Sequence, residues 1–192
     1  MNYNTAIIGG IVALIVIAAG AAIWTRTHSV SSPGAQQAEH PLKTYYDERY
    51  SLAFNFPDNY SVTEHDATGE STKHHTIVIA DKAALASVPA TSEGPPSITI
   101  DIFANPSSQG AESWIKSNSN SNFKLSPDGV MSVTNIAGEK AFAYAWDGLY
   151  RSTSIVFPYK RNMFMLSVGQ NSPQDQIVKD FATVVSSIQL DP

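Results

Sequence analysis

The stretch Glu139–Val168, EKAFAYAWDGLYRSTSIVFPYKRNMFMLSV, decides the fold. From Glu139 to Trp146 the large residues Phe142, Tyr144 and Trp146 alternate with Ala141, Ala143 and Ala145, the period-two pattern of a β-strand. Asp147-Gly148 follows, and Asp-Gly between two alternating runs predicts a type I′ turn, whose two central residues need positive φ. The chain then returns along Leu149–Phe157. Asn162–Val168 (NMFMLSV) is apolar on both faces, as a central strand covered from each side must be.

Working outward, Ser97–Phe103 places Ile98, Ile100 and Ile102 on one face, and Thr76–Ala80 is a shorter apolar run. In Arg49–Phe56, Tyr50, Leu52, Phe54 and Phe56 alternate with Arg49, Ser51, Ala53 and Asn55 until Pro57 stops the strand. Two helices are expected. The first, near Gln109–Ser117, gathers Ala111, Trp114 and Ile115 on one face. The second opens with Ser172 as N-cap and Pro173 at the first helical position, with Asp175 near the positive end of the dipole. Ile177, Val178, Phe181, Val184, Val185 and Ile188 then recur at helical spacing, one wide apolar face to lay on a sheet. Hairpin-connected strands with few helices predict an α+β domain over residues 43–192, an antiparallel β-sheet covered by helices.

The N-terminal part has another chemistry. Ala6–Trp24 (AIIGGIVALIVIAAGAAIW) is nineteen residues without a charge. At the helical rise it reaches roughly 28 Å, the hydrocarbon thickness of a bilayer. Residues 1–25 are therefore expected to be a short tail and one transmembrane helix, with the lipid bilayer as partner. A cleaved signal peptide is the competing reading, with Ala19-Gly20-Ala21 as cleavage site, but no Lys or Arg precedes the apolar run and the run exceeds the usual length. Gly9 with Ala13, and Ala6 with Gly10, have the small-xxx-small spacing of a helix dimer face, or are small residues scattered through a Gly/Ala-rich helix. Residues 26–42, rich in Ser, Pro, Gly, Gln and Ala, read as a flexible linker. Arg26 alone leaves the orientation open by the positive-inside rule.

The 12 Lys and Arg and 17 Asp and Glu all lie beyond the apolar run, so the net charge of −5 belongs to the rest of the chain and argues against a nucleic-acid partner. The chain has no cysteine, which excludes a thiol nucleophile, a thiolate metal site and lipidation at Cys.

Three stretches carry a likeness: TYYDERYSLAFNFPDNYSV (Thr44–Val62), AESWIKS (Ala111–Ser117) and DFATVVSSIQL (Asp180–Leu190). In this order they resemble the Tyr-rich lead and aromatic strand, the short Trp-bearing helix and the terminal helix of PsbP-like domains. The likeness spans roughly Thr44–Leu190 and rests on packing residues. It implies an α/β/α sandwich and a partner-binding module without chemistry, the role of the PsbP subunit of photosystem II and of a Ran-binding import factor that share the fold. Cyanobacterial relatives are lipoproteins, whereas this chain has an apolar segment and no Cys, so it looks more like the small membrane-anchored PsbP-like proteins of bacteria. By that analogy the domain is expected outside the cytoplasmic membrane.

Candidate ligands gather around one predicted turn. Glu64, His65 and Asp66 precede it and His74 and His75 follow it, so pairing of Tyr60–His65 with His74–Ala80 brings imidazoles and carboxylates to one hairpin end, a donor set suited to zinc or copper. The metal reading takes His65, His74 and His75 as ligands. Strand geometry opposes it, because adjacent residues face opposite ways, and then these are solvated polar residues beside a loop. Ser113 and Lys116 have S-x-x-K spacing, but no S-D-N or K-T-G element accompanies them. G-x-S-x-G, P-loop and dinucleotide fingerprints are absent. The expectation is a membrane-tethered, non-catalytic binding or assembly module that needs no cofactor, with a protein partner the sequence does not identify; the alternative is an extracytoplasmic metal-binding domain.

Overall fold

Side chains of one strand, β9 (Asn162–Gln170), enter two apolar clusters on opposite faces of one sheet. The computed structural model describes residues 40–67, 73–89 and 93–192. Before β9 come β1 (Leu42–Asp47), β2 (Leu52–Pro57), β3 (Tyr60–Ala67), β4 (His74–Asp81), α1 (Lys82–Ser87), β5 (Ile98–Ala104), α2 (Ala111–Ser117), β6 (Ser132–Ile136), β7 (Glu139–Asp147) and β8 (Arg151–Tyr159). After it come α3 (Gln176–Ser186) and β10 (Gln189–Leu190). Seven strands form an antiparallel sheet in the order β3-β4-β5-β9-β8-β7-β6, and β1-β2-β10 form a second, smaller sheet. The predicted anchor Ala6–Trp24 and residues 26–39 of the linker lie outside the described residues. Among the described residues no helix is long and apolar enough to cross a membrane.

β9 is central, as its two-faced apolar pattern predicts. It pairs with β5 through Ile100↔Leu166 and with β8 through Val156↔Met165, so both its edges are spent. Phe164, Leu166 and Val168 pack with Ile77, Ile79, Ile98, Ile100 and Phe157; Leu52, Phe54 and Phe56 of β2 and Ile177, Phe181 and Val184 of α3 close this cluster. On the other face Met163 and Met165 meet Phe103, Phe142 and Tyr144 beneath Trp114 and Ile115 of α2. Helices thus lie on both faces of an antiparallel sheet.

Several boundaries differ from expectation. Helix α3 starts at Gln176 rather than after Ser172, because the Asp175 carboxylate accepts the backbone N–H groups of Asn171 and Ser172, each at 2.9 Å, and closes a turn ahead of the helix. Its buried face includes Asp180, which accepts from the Tyr60 hydroxyl at 2.7 Å and from Gln176 at 2.9 Å, whereas Val178 and Val185 are half-buried. The aromatic strand begins at Leu52, since Ser51 turns the chain at φ 52°.

The type I′ turn falls elsewhere. Pairing of β7 with β8 ends at Asp147↔Arg151, leaving Gly148–Tyr150 as a three-residue loop. Gly148 is needed there for a close approach, because a Cβ would stand 2.7 Å from the Trp146 ring. The two-residue turn with both central residues at positive φ is Ala137-Gly138 (49° and 91°), joining β6 to β7. Asn135 accepts the Gly138 N–H through its side chain at 3.0 Å and fixes it.

Alanine at such a φ costs about 1–2 kcal/mol that asparagine largely avoids. Ala137→Asn should therefore gain about 0.5–1 kcal/mol and raise Tm by roughly 1–4 °C in calorimetry. An unchanged or lower Tm would contradict the assigned turn.

Candidate functional site

The β1–β2 turn carries Asp47, Arg49 and Tyr50 over one end of the β3–β4 ladder. Strand alternation puts Glu64 and Asp66 on the same face of β3, and Asp66 stands opposite His75 in register. His75 is 4% exposed. Its Nδ1 lies 2.8 Å from Asp66 Oδ1 and its Nε2 lies 3.2 Å from Arg49 Nη2. An arginine only donates, so Nε2 accepts from Arg49 while Nδ1 faces Asp66; Nε2 also lies 3.4 Å from Glu64 Oε2. Tyr50 stacks on the imidazole with ring centroids 5.2 Å apart, and the Arg49 guanidinium sits 4.9 Å from the Tyr50 ring centre.

Arg49 Nη2 also lies 3.3 Å from Asp47 Oδ2 and 3.4 Å from Glu64 Oε2. Asp47 is buried, and the Tyr45 hydroxyl donates to the second oxygen of Glu64 at 2.7 Å. The hydrogen bond from His75 holds the exposed Asp66 carboxyl below its ordinary pKa, while burial, followed by the contact with Glu64, pushes the Tyr45 hydroxyl up. Asp47, Glu64 and His75 bring one donor atom each within 4.8 Å of one another, a set that could hold a divalent ion. The Arg49 guanidinium touches all three. It supplies the positive charge that this oxygen and nitrogen set would otherwise take from a metal.

The three predicted imidazoles divide over the sheet. His65 and His74 belong to the face that α2 covers, with Asp101, and His75 belongs to the opposite face. His74 Nε2 lies 3.4 Å from Asp101 Oδ1, and its ring stacks on Phe103 at 4.5 Å. Asp101 accepts from Thr76 at 2.7 Å and Thr99 at 3.4 Å, and burial pushes its carboxyl above the ordinary range. His65 is exposed beside this group, opposite Thr76 in register. Ser113 and Lys116 do not meet either. Ser113 donates to the Gly110 carbonyl at 3.0 Å, and Lys116 pairs with Glu112 at 2.7 Å.

Asp47, Arg49 and Asp101 did not stand out in the sequence. A charged pair flanking a turn is ordinary, and only the folding of the small sheet over β3 and β4 gives Asp47 and Arg49 their partners.

With this geometry in place, likeness to known proteins bears on the fold. No family model and no curated protein sequence matches the chain. The solution structure of the cyanobacterial PsbP protein, CyanoP, from Synechocystis sp. PCC 6803 is similar over 84% of this chain and 98% of that one, with a TM-score of 0.51 and 14% identity. A crystal structure of a protein from Bacteroides thetaiotaomicron VPI-5482 aligns over 80% of this chain and 49% of that one, with a TM-score of 0.45 and 12% identity. The fold is PsbP-like.

Arg49→Ala leaves the buried Asp47 carboxylate without its cation. Because the arginine side chain is 51% exposed, the loss should lie between those of surface and buried pairs, about 1–2 kcal/mol, or roughly 2–8 °C in Tm. Zinc should then stabilise the Arg49→Ala chain, by about 2.7 kcal/mol at one hundred times its Kd, and much less the parent chain. Equal zinc shifts in both, read by thermal denaturation, would mean that Arg49 does not occupy the ion's place.

Proposed function

We propose that this protein is a membrane-tethered, non-catalytic binding or assembly module. In this reading Ala6–Trp24 anchors it, the linker ahead of β1 is its tether, and the PsbP-like domain stands outside the cytoplasmic membrane. One observation supports the reading: the buried side chains of catalytic type that the fold brings together are tied to neighbours within the domain. His75 is held by Asp66 and Arg49, Asp180 by Tyr60 and Gln176, and the buried Ser154 and Ser167 hydroxyls by each other at 2.7 Å. The polar groups left to act on another molecule are then those of the surface. The likeness of the fold to a cyanobacterial PsbP protein supports the same reading.

The second reading, an extracytoplasmic domain that binds zinc or copper, is favoured by the Asp47, Glu64 and His75 set. His65 and His74 would not join that set, since they belong to the other face, and an incoming ion would have to displace Arg49.

Alkaline phosphatase fused after Pro192 should be active and remain with membranes after carbonate extraction, while a cytoplasmic fluorescent reporter at the same site stays active only if the orientation is reversed. Release by carbonate would remove the tether. An inactive phosphatase with a bright cytoplasmic reporter would reverse the orientation.

A further inference from the structure

The seven-stranded sheet ends in two unlike edges. On β3 the edge residues include Glu64, His65 and Asp66, and Glu64 and Asp66 are tied to Arg49, Tyr45 and His75. Inward-turned and paired charges of this kind protect an edge from further pairing. The β6 edge has none. Val130–Gly138 (VMSVTNIAG) contains no charged residue, Val130 and Val133 are 59% and 64% exposed, and among the described residues β6 pairs with β7 alone.

The direction of the free backbone groups follows from the Ala137-Gly138 turn. In a two-residue hairpin the flanking residues, Ile136 and Glu139, form a hydrogen-bonded pair, and pairs then alternate along the ladder. Ile136, Thr134 and Ser132 therefore direct their backbone groups to β7, and Val133 and Asn135 direct theirs outward. One rung crosses the whole sheet from His65 through Thr76, Asp101, Met165, Val156 and Phe142 to Val133. Val133 thus extends the face on which α2 lies. On that face is an open groove of 480 Å³, lined by Ala111, Phe142 and Pro158 and by Glu112, Lys116 and Lys140. Lys124 lies in an adjoining groove that shares Lys116. Lys116 is paired with Glu112 at 2.7 Å, so Lys124 and Lys140 are left as positive charges lining the two grooves on a chain of net charge −5. Lys140 stands over the Phe142 ring at 5.2 Å.

We propose that the β6 edge is a docking site for an extended segment of another protein, one that alternates apolar and acidic residues and adds to the sheet as an eighth strand. Its backbone pairs with the outward groups of Val133 and Asn135. An added strand lies about 9.5 Å from β7, two strand spacings, a span that a glutamate and a lysine stem cover together. Its carboxylates therefore reach Lys140. Main-chain pairing supplies the affinity and the lysines select the acidic sequence. This rests on the binding-module reading and names the partner's chemistry.

The test uses the full chain in detergent and fluorescein-labelled ten-residue peptides of alternating valine and glutamate or valine and lysine, read by anisotropy. The Val–Glu peptide should bind at least tenfold more tightly than the Val–Lys peptide. Val133→Pro removes an outward donor at an edge position where proline is tolerated, so it should keep Tm within a few degrees and weaken binding at least tenfold. Lys140→Glu, an exposed substitution, should weaken it several-fold. Equal binding of the two peptides, or full binding by a folded Val133→Pro chain, would overturn the proposal. So would a dimer joined through β6 that excludes the peptide. A chain that binds no peptide yet passes the phosphatase and carbonate tests loses this docking site and keeps the tethered-module reading.

Discussion

The burial of β9 on both faces is the constraint from which the rest of the domain follows. Its backbone groups are spent on β5 and β8, and Met163, Phe164 and Leu166 are 0% exposed. At about 1.5–3 kcal/mol for each large apolar side chain removed from water, these residues alone contribute gross stabilisation comparable to the net stability of a domain. Burying both faces requires two covering layers, which α3 with the small sheet and α2 with the 3₁₀ turns that follow it, Ser119–Ser121 and Phe123–Leu125, provide. Every other strand of the seven-stranded sheet then inherits its inside and outside from its register to β9. The rung Asp66–His75–Ile102–Phe164 puts the His75 imidazole on the α3 face, and the next position puts His74 with Asp101 on the other.

The same alternation separates the imidazoles that lie close together in the chain. What gathers around His75 is a set of carboxylates and one guanidinium, brought over from the β1–β2 turn. Such a cluster ties the small sheet to the large one by charge as well as by apolar contact. It solves a problem that a metal ion also solves, neutralising converging carboxylates of which Asp47 is buried. Arg49 takes that place here, within 3.4 Å of Asp47, Glu64 and His75.

Most of the large sheet was legible because its inner strands have strong periodicity. β4, β5, β7, β8 and β9 stand where alternation or continuous apolar runs place them, and β3 pairs with β4 as the candidate ligand arrangement required. β6 was not legible, since four of its five residues are exposed and no alternation can register. β1 was missed for the same reason. Helix α1 buries no residue and had only an N-cap signal, Asp81, whose side chain accepts the Ala84 N–H at 2.8 Å. The turn was misplaced because Asp-Gly is the commoner type I′ pair, while the Trp146 ring over Gly148 imposes a longer loop. The ligand types near the β3–β4 turn were readable, but Arg49 and Asp47 join them only through tertiary packing.

Centre and edge of the sheet should differ most in the exchange of backbone amide hydrogens. Native-state hydrogen exchange, resolved by residue, measures this directly. The amides of Phe164, Met165 and Leu166 should exchange only with global unfolding, whereas those of Val133 and Asn135 should exchange orders of magnitude faster, with Thr134 protected between them. Protection of Val133 and Asn135 equal to that of β9, or early exchange of Leu166, would contradict a sheet built from β9 outward and open at β6.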